Sequence, residues 1–84
     1  MNICVVSTFD GTTEDFMETF NWAKEKMASS ATDMEVGVIR EGKVITMANV
    51  TDMAKFQEIM TSEEMQTWDT KYNCVDAVYS LEQQ

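Results

Sequence analysis

Glu35 and Asp76 stand in runs that alternate like β-strands. On a sheet face shut off from water, either carboxylate would have its pKa raised and could act as a general acid or base. The commoner place for such a residue is a wet strand end or a subunit rim. Cys4 and Cys74 sit in apolar strand-like runs, where a free cysteine usually behaves as a small buried hydrophobe, and their separation shows no metal-ligand spacing. The chain has no histidine, which removes the commonest general base, the Ser–His and Cys–His nucleophile pairs and the imidazole metal ligand. No glycine-rich phosphate loop or EF-hand pattern occurs. The residues therefore point to no catalytic group, no metal and no cofactor.

Eight methionines could line an adaptable pocket, because a flexible thioether fits irregular ligands. Met17, Met27, Met53 and Met60, however, fall on or beside helical core stripes, which favours core filling. Trp68 and Tyr72 read as core or barrel-mouth residues, whereas Trp22 lies off the apolar face of its helix and is the better interface candidate. Asn49-Val50-Thr51 matches a glycosylation sequon that has no meaning in a cytoplasmic chain.

These side chains must be positioned by short elements. Residues 2–9 are β-branched and aromatic and end at the turn signal Asp10-Gly11, a first strand. Thr12 and Asp15 have capping-box spacing, and Phe16, Phe20, Ala23 and Met27 follow at helical period. Residues 34–50 form two β-rich runs around Glu41-Gly42, a hairpin. A second helix opens at Thr51 or Asp52 with Met53, Phe56, Ile59 and Met60. It breaks at a second capping-box pattern, Thr61 to Glu64, and resumes with Met65, Trp68 and Tyr72. Residues 74–81 alternate as a last strand. The order is βαββαβ, a ferredoxin-like α+β fold with a four-stranded antiparallel sheet, expected as a single domain over residues 1–84. With the last strand antiparallel to the first, Cys74 falls beside Phe9. Cys4 is then about five positions, roughly 17 Å, away, beyond disulfide reach.

A two-residue loop at Glu41-Gly42 would pair Val38 with Ile45 and Val36 with Met47. One hairpin face then carries Met34, Val36, Val38, Ile45 and Met47, and the other Glu35, Gly37, Ile39, Val44, Thr46, Ala48 and Val50. Both are largely apolar, although an antiparallel sheet with one wet face alternates apolar and polar. Two helices cover only one side, so the other requires a second subunit or a ligand. A chain of 84 residues also buries only about 60 to 65% of its unfolded surface alone. Both arguments predict a homodimer.

Apolar residues make up 44% of the chain and charged ones 25%, the profile of a folded domain rather than of disorder. Fifteen acidic and six basic residues give a net charge of −9, which repels phosphate backbones and anionic lipid, so nucleic acid is not an expected partner. No run approaches the roughly 20 apolar residues of a membrane span, and a cytoplasmic location is expected.

The whole-chain βαββαβ order, and residues 52–81 in particular, resemble the small members of the dimeric α+β barrel superfamily, which includes antibiotic-biosynthesis-monooxygenase-like domains. The likeness is carried by Asp52 opening a short helix, Phe56, the break with Ser62 and Glu64, Trp68, and the closing Val78-Tyr79-Ser80-Leu81. Many relatives have Ser-Pro-Glu at the break, where this chain has Glu63 in place of the proline. The resemblance implies two sheets packed face to face around a lumen between subunits. Relatives with haem-degrading or cyclase activity rely on a histidine that this chain lacks.

Three functions follow as expectations. In the first, the lumen, lined by Val6, Thr8, Ile39, Val44, Thr46, Ala48 and Val78, binds a small apolar or amphipathic, fatty-acyl-like ligand. In the second, a cofactor-free monooxygenase- or isomerase-like enzyme uses Glu35 or Asp76 as base on a small organic substrate. In the third, the dimer is structural or regulatory and its lumen is filled.

Overall fold

The structure is a computed structural model that describes residues 1–82; the last two residues of the expected domain lie outside the described residues. The elements run β1 (Ile3–Thr8), α1 (Thr13–Lys26), β2 (Ala31–Arg40), β3 (Lys43–Val50), α2 (Met53–Met60), α3 (Glu63–Tyr72) and β4 (Val75–Ser80). The strands form one antiparallel sheet in the order β2-β3-β1-β4, with the helices packed on one face. This is the expected ferredoxin-like α+β order, with the second helix broken in two.

The caps explain where the helices begin. Before α1 the Asp15 amide donates to Thr12 Oγ1 at 3.1 Å and the Thr12 amide donates to Asp15 Oδ2 at 2.9 Å, the reciprocal pair of a capping box. Asp52 caps α2 by accepting from the Lys55 amide at 3.1 Å. The box expected at Thr61 does not form. Thr61 Oγ1 donates instead to the Gln57 carbonyl at 2.8 Å and Ser62 Oγ to the Ile59 carbonyl at 2.7 Å. Both hydroxyls thus close the end of α2, where carbonyls lack partners, and Ser62 precedes α3 without a side-chain cap bond. Asn73, left-handed at φ 52°, ends α3 with its amide donating to the Asp69 carbonyl.

The hairpin departs from the expected register. Arg40 pairs with Lys43 as anticipated, but Val38 pairs with Val44 and Val36 with Thr46, because Ile39 is an extra residue in a bulge. One inserted residue exchanges the predicted faces of β3 relative to β2. Val36, Val38, Val44, Thr46, Ala48 and Val50 share one side of the sheet, and Ile45 and Met47 lie on the other. The turn depends on Gly42, whose φ is +83° and where an added Cβ would meet the Phe9 carbonyl oxygen at 2.8 Å.

Two clusters fill the space under the helices. Ile3, Val5, Ala23, Met27, Ala48 and Phe56 lie in one, and Phe9, Phe16, Phe20 and Val44 in the other, with Trp68 and Tyr72 packed against it. Burying an aromatic such as Phe16 contributes about 1.5–3 kcal/mol. Trp22, anticipated as an interface residue, packs partly buried against the first cluster.

The helix-free face carries Cys4, Val6, Ile45, Met47, Ala77 and Tyr79, as the pairings Cys4 with Met47 and Tyr79, and Val6 with Ile45 and Ala77, require. Every residue of β4 is exposed, Val75 at 68% and Tyr79 at 54%. Thr8 pairs with Val75, which places Cys74 beside Phe9, and both cysteines are free. Among the described residues no helix is long and apolar enough to cross a membrane.

Candidate functional site

A cavity of about 60 Å³ lies between the sheet and the helices of a single chain. On the measure by which one water needs about 10–15 Å³, it has room for roughly four to six waters, well under half of the about 150 Å³ of an apolar cavity that takes benzene, so a ring enters only if the flexible methionine walls give way. Its walls are built by periodicity: Phe16, Phe20 and Ala23 from α1, Phe56 and Met60 from α2, Met65 and Trp68 from α3, and Ile3, Val5 and Ala48 from the sheet. The rings are fixed against one another, with Phe9 and Phe16 stacked at 5.5 Å and Trp68 edge-on to Phe16 at 6.0 Å.

One end is polar. Asp69, four residues after Met65 on the inward stripe of α3, meets Cys74 and Asp76, which have the same parity on the last strand. Their ligand atoms lie within 4.8 Å of one another. The Cys74 thiol donates to Asp76 Oδ1 at 3.4 Å, and its amide donates to the Asp69 carbonyl at 2.8 Å. Burial raises the Asp69 pKa, and the nearby Asp76 charge raises it further, while the bond from Cys74 opposes both. Burial, then the two aspartates, push the Cys74 thiol far above its ordinary value. It remains a thiol at neutral pH, so it is neither a nucleophile nor a good metal donor. The cluster offers a cation two carboxylates rather than a full coordination shell.

Ser7 completes this end. It is 4% exposed, stands directly across from Asp76 in the β1–β4 ladder and lines the cavity. Side-chain oxygens sealed from solvent are all hydrogen-bonded among the described residues.

The seven residues expected to line one lumen are divided by the fold. Thr46 and Ala48 line the cavity. Val44 is buried on the same side in the aromatic cluster, and Val78 shares that side, opposite Val5, but is exposed on the edge strand. Val6 and Thr8 lie on the helix-free face, and Ile39 is in the bulge, 54% exposed. Of the two candidate bases, Asp76 reaches the cavity, while Glu35 is exposed and pairs with Met47 on the helix-free side. Sequence reasoning did not identify Asp69 and Ser7. The spacing from Met65 to Asp69 and the parity shared by Ser7 and Asp76 are the signals that point to them.

The ferredoxin-like sheet with its helices on one face is shared with several solved structures. SnoaB, a cofactor-independent oxygenase from Streptomyces nogalater, matches over 99% of this chain and 93% of its own, with 12% identity and a TM-score of 0.66. A Shewanella oneidensis protein matches over 94% and 88%, with 18% identity and a TM-score of 0.61. A Deinococcus radiodurans protein assigned as an antibiotic biosynthesis monooxygenase matches over 98% and 92%, with 8% identity and a TM-score of 0.52. At these identities the likeness is one of fold. No family model matches the chain, and neither does any curated protein.

Proposed function

We propose that this protein binds a small, mainly apolar molecule in the cavity between its sheet and helices, and that it does so as a homodimer joined through the helix-free faces. The observation that carries the reading is the cavity itself: an aromatic and methionine-lined space with a few polar groups gathered at one end, the usual form of a small-molecule site. Its size suits a short chain or, with the methionine side chains displaced, one ring, and not a long fatty-acyl tail. The site lies within each protomer, so the dimer contact and the ligand use opposite faces of the sheet. Support for the dimer comes from Val6, Ile45, Met47 and Tyr79, which give the uncovered face an apolar character that water does not favour.

A second reading, a cofactor-free enzyme acting on a small organic substrate, is favoured by the carboxylates at the cavity and by the fold shared with SnoaB. Asp69 or Asp76 would then be the base. Titration with benzyl alcohol, followed by calorimetry and by sedimentation of the same samples, tests the proposal. Saturable uptake of one molecule per protomer by a dimer is expected. A monomer of 9.6 kDa at micromolar concentration would remove the dimer, and no saturable uptake would remove the binding site.

A further inference from the structure

The cavity lies under the helices, so a ligand must cross a wall to reach it. Two surface grooves flank that wall. One, lined by Trp22, Lys26, Lys55, Ile59 and Ser62 among others, shares no residue with the cavity. The other, of about 320 Å³, runs between α1 and α3, and two of its residues, Thr19 and Trp68, also line the cavity. Where the same side chains face both spaces, the wall is one side chain thick. Met65, one turn before Trp68 on α3, lines the cavity behind Thr19 and is 8% exposed.

We propose that small apolar molecules enter and leave the cavity through the seam between α1 and α3, with Met65 as the side chain that moves aside. The proposal rests on the ligand-binding reading above and adds the route to the same site. The seam is fastened unequally along its length. At one end the Asp10 amide donates to the Tyr72 carbonyl at 2.7 Å, and Trp68 packs against Tyr72 at 4.8 Å, Phe9 at 5.5 Å and Phe16 at 6.0 Å. Trp68 is therefore held in place. Beside Met65 the link across the seam is a single contact, Thr19 Oγ1 donating to Met65 Sδ at 3.9 Å, and a thioether is a weak acceptor. The Met65 side chain turns about three bonds, so losing that contact frees it to swing away from Thr19. The polar end at Asp69 and Asp76 is a poorer entrance, because an apolar molecule passing there strips water from carboxylates and gives them no hydrogen bond instead.

A passage and a binding surface differ in kinetics. Contacts within a bound complex act mainly on the off-rate, whereas an obstacle on the route slows entry and exit by the same factor and leaves affinity unchanged. The test plugs the seam from outside. Thr67→Cys, at an exposed position of the groove, is labelled with a bulky maleimide, and exchange of benzyl alcohol on the full chain is followed through the line shapes of the methionine methyl NMR signals. Cys4 is buried and Cys74 stays protonated, so the label goes to the new thiol. Both rate constants are expected to fall by about tenfold or more while Kd stays within about twofold. The same label at Lys55→Cys, in the other groove, and at Val78→Cys, opposite Val5 on the edge strand, should leave both rates as in the wild type. Thr19→Val, which keeps the shape and removes the donor, should raise both rates about threefold, the equivalent of one weak hydrogen bond. Unchanged rates in the Thr67-labelled or the Thr19→Val protein, equal slowing by the Lys55 or Val78 label, or a change in affinity carried by the off-rate alone would overturn the passage and leave the cavity as the binding site. If the wild-type protein takes up no benzyl alcohol, the ligand-binding reading fails and the passage with it.

Discussion

Ala48→Leu would place three further carbons into the cavity from its floor. Ala48 is 2% exposed, pairs with Ile3 on the sheet and lies in the same cluster as Ala23 and Phe56. At about 0.8 kcal/mol for each carbon removed from water, the added group contributes roughly 2 kcal/mol if it enters empty space. Adjusting its neighbours costs about 1–3 kcal/mol. The two effects are of similar size, so the stability change should lie within about 1 kcal/mol of zero. Binding responds differently. A cavity of about 60 Å³ cannot hold both the leucine and a ring, and affinity for benzyl alcohol should fall more than tenfold. Urea denaturation reads the first quantity and calorimetric titration the second. If the variant kept wild-type stability and wild-type affinity, the ring would be binding elsewhere. A loss of more than about 3 kcal/mol, beyond ordinary overpacking, would mean that no usable space exists beside Ala48.

Removing the α1 cap with Thr12→Ala should cost about 1 kcal/mol, measured by urea denaturation at pH 7. The Thr12 amide and hydroxyl hold the Asp15 pKa below its ordinary 3.8. The contribution of Asp15 is therefore complete above that value and lost as pH falls below it, whereas the bond from the Asp15 amide to Thr12 Oγ1 does not titrate, so both proteins should lose stability in acid while most of the difference between them persists. Gly42→Ala should destabilise by about 2 kcal/mol or more, since a left-handed alanine costs roughly 1–2 kcal/mol before its Cβ meets the Phe9 carbonyl oxygen at 2.8 Å. Thiol titration without reductant should find two free thiols after denaturation and almost no reaction of Cys74 in the native protein at pH 8, because its pKa is raised. Fast native labelling of Cys74 would show that the thiol is not held by the two aspartates.

The element order was legible because each local signal agreed with the next. The Thr12–Asp15 box, the Phe16–Phe20–Ala23–Met27 stripe and the Glu41-Gly42 turn all appear where the residues place them. Face assignment was not legible, for a physical reason. Both sides of the hairpin are apolar, so the pattern of alternation could not reveal the extra residue at Ile39, and one inserted residue reverses every side chain beyond it. The same error carried Val44, Thr46 and Ala48 to the wrong side of the sheet and the expected ligand space with them. Asp76 was recognised as a candidate because a carboxylate alternating with valines stands out. Asp69 did not stand out, since an aspartate in the polar stretch between Trp68 and Tyr72 reads as solvent-facing until the tilt of α3 over β4 is known. Ser7 carries no sequence signal beyond its parity.

The methionine methyl groups offer the most direct measurement, because they report from both faces of the sheet at once. Met27, Met34, Met60 and Met65 line the cavity, whereas Met47 lies on the helix-free face between Cys4 and Glu35 and Met53 is exposed on α2. On titrating methyl-labelled protein with benzyl alcohol, the methyl NMR signals of Met27, Met34, Met60 and Met65 should shift together along one saturating curve while those of Met47 and Met53 stay in place. A shift confined to Met47 would put the ligand between two sheets, in the lumen that the proposed site replaces, and contradict the cavity as the binding site.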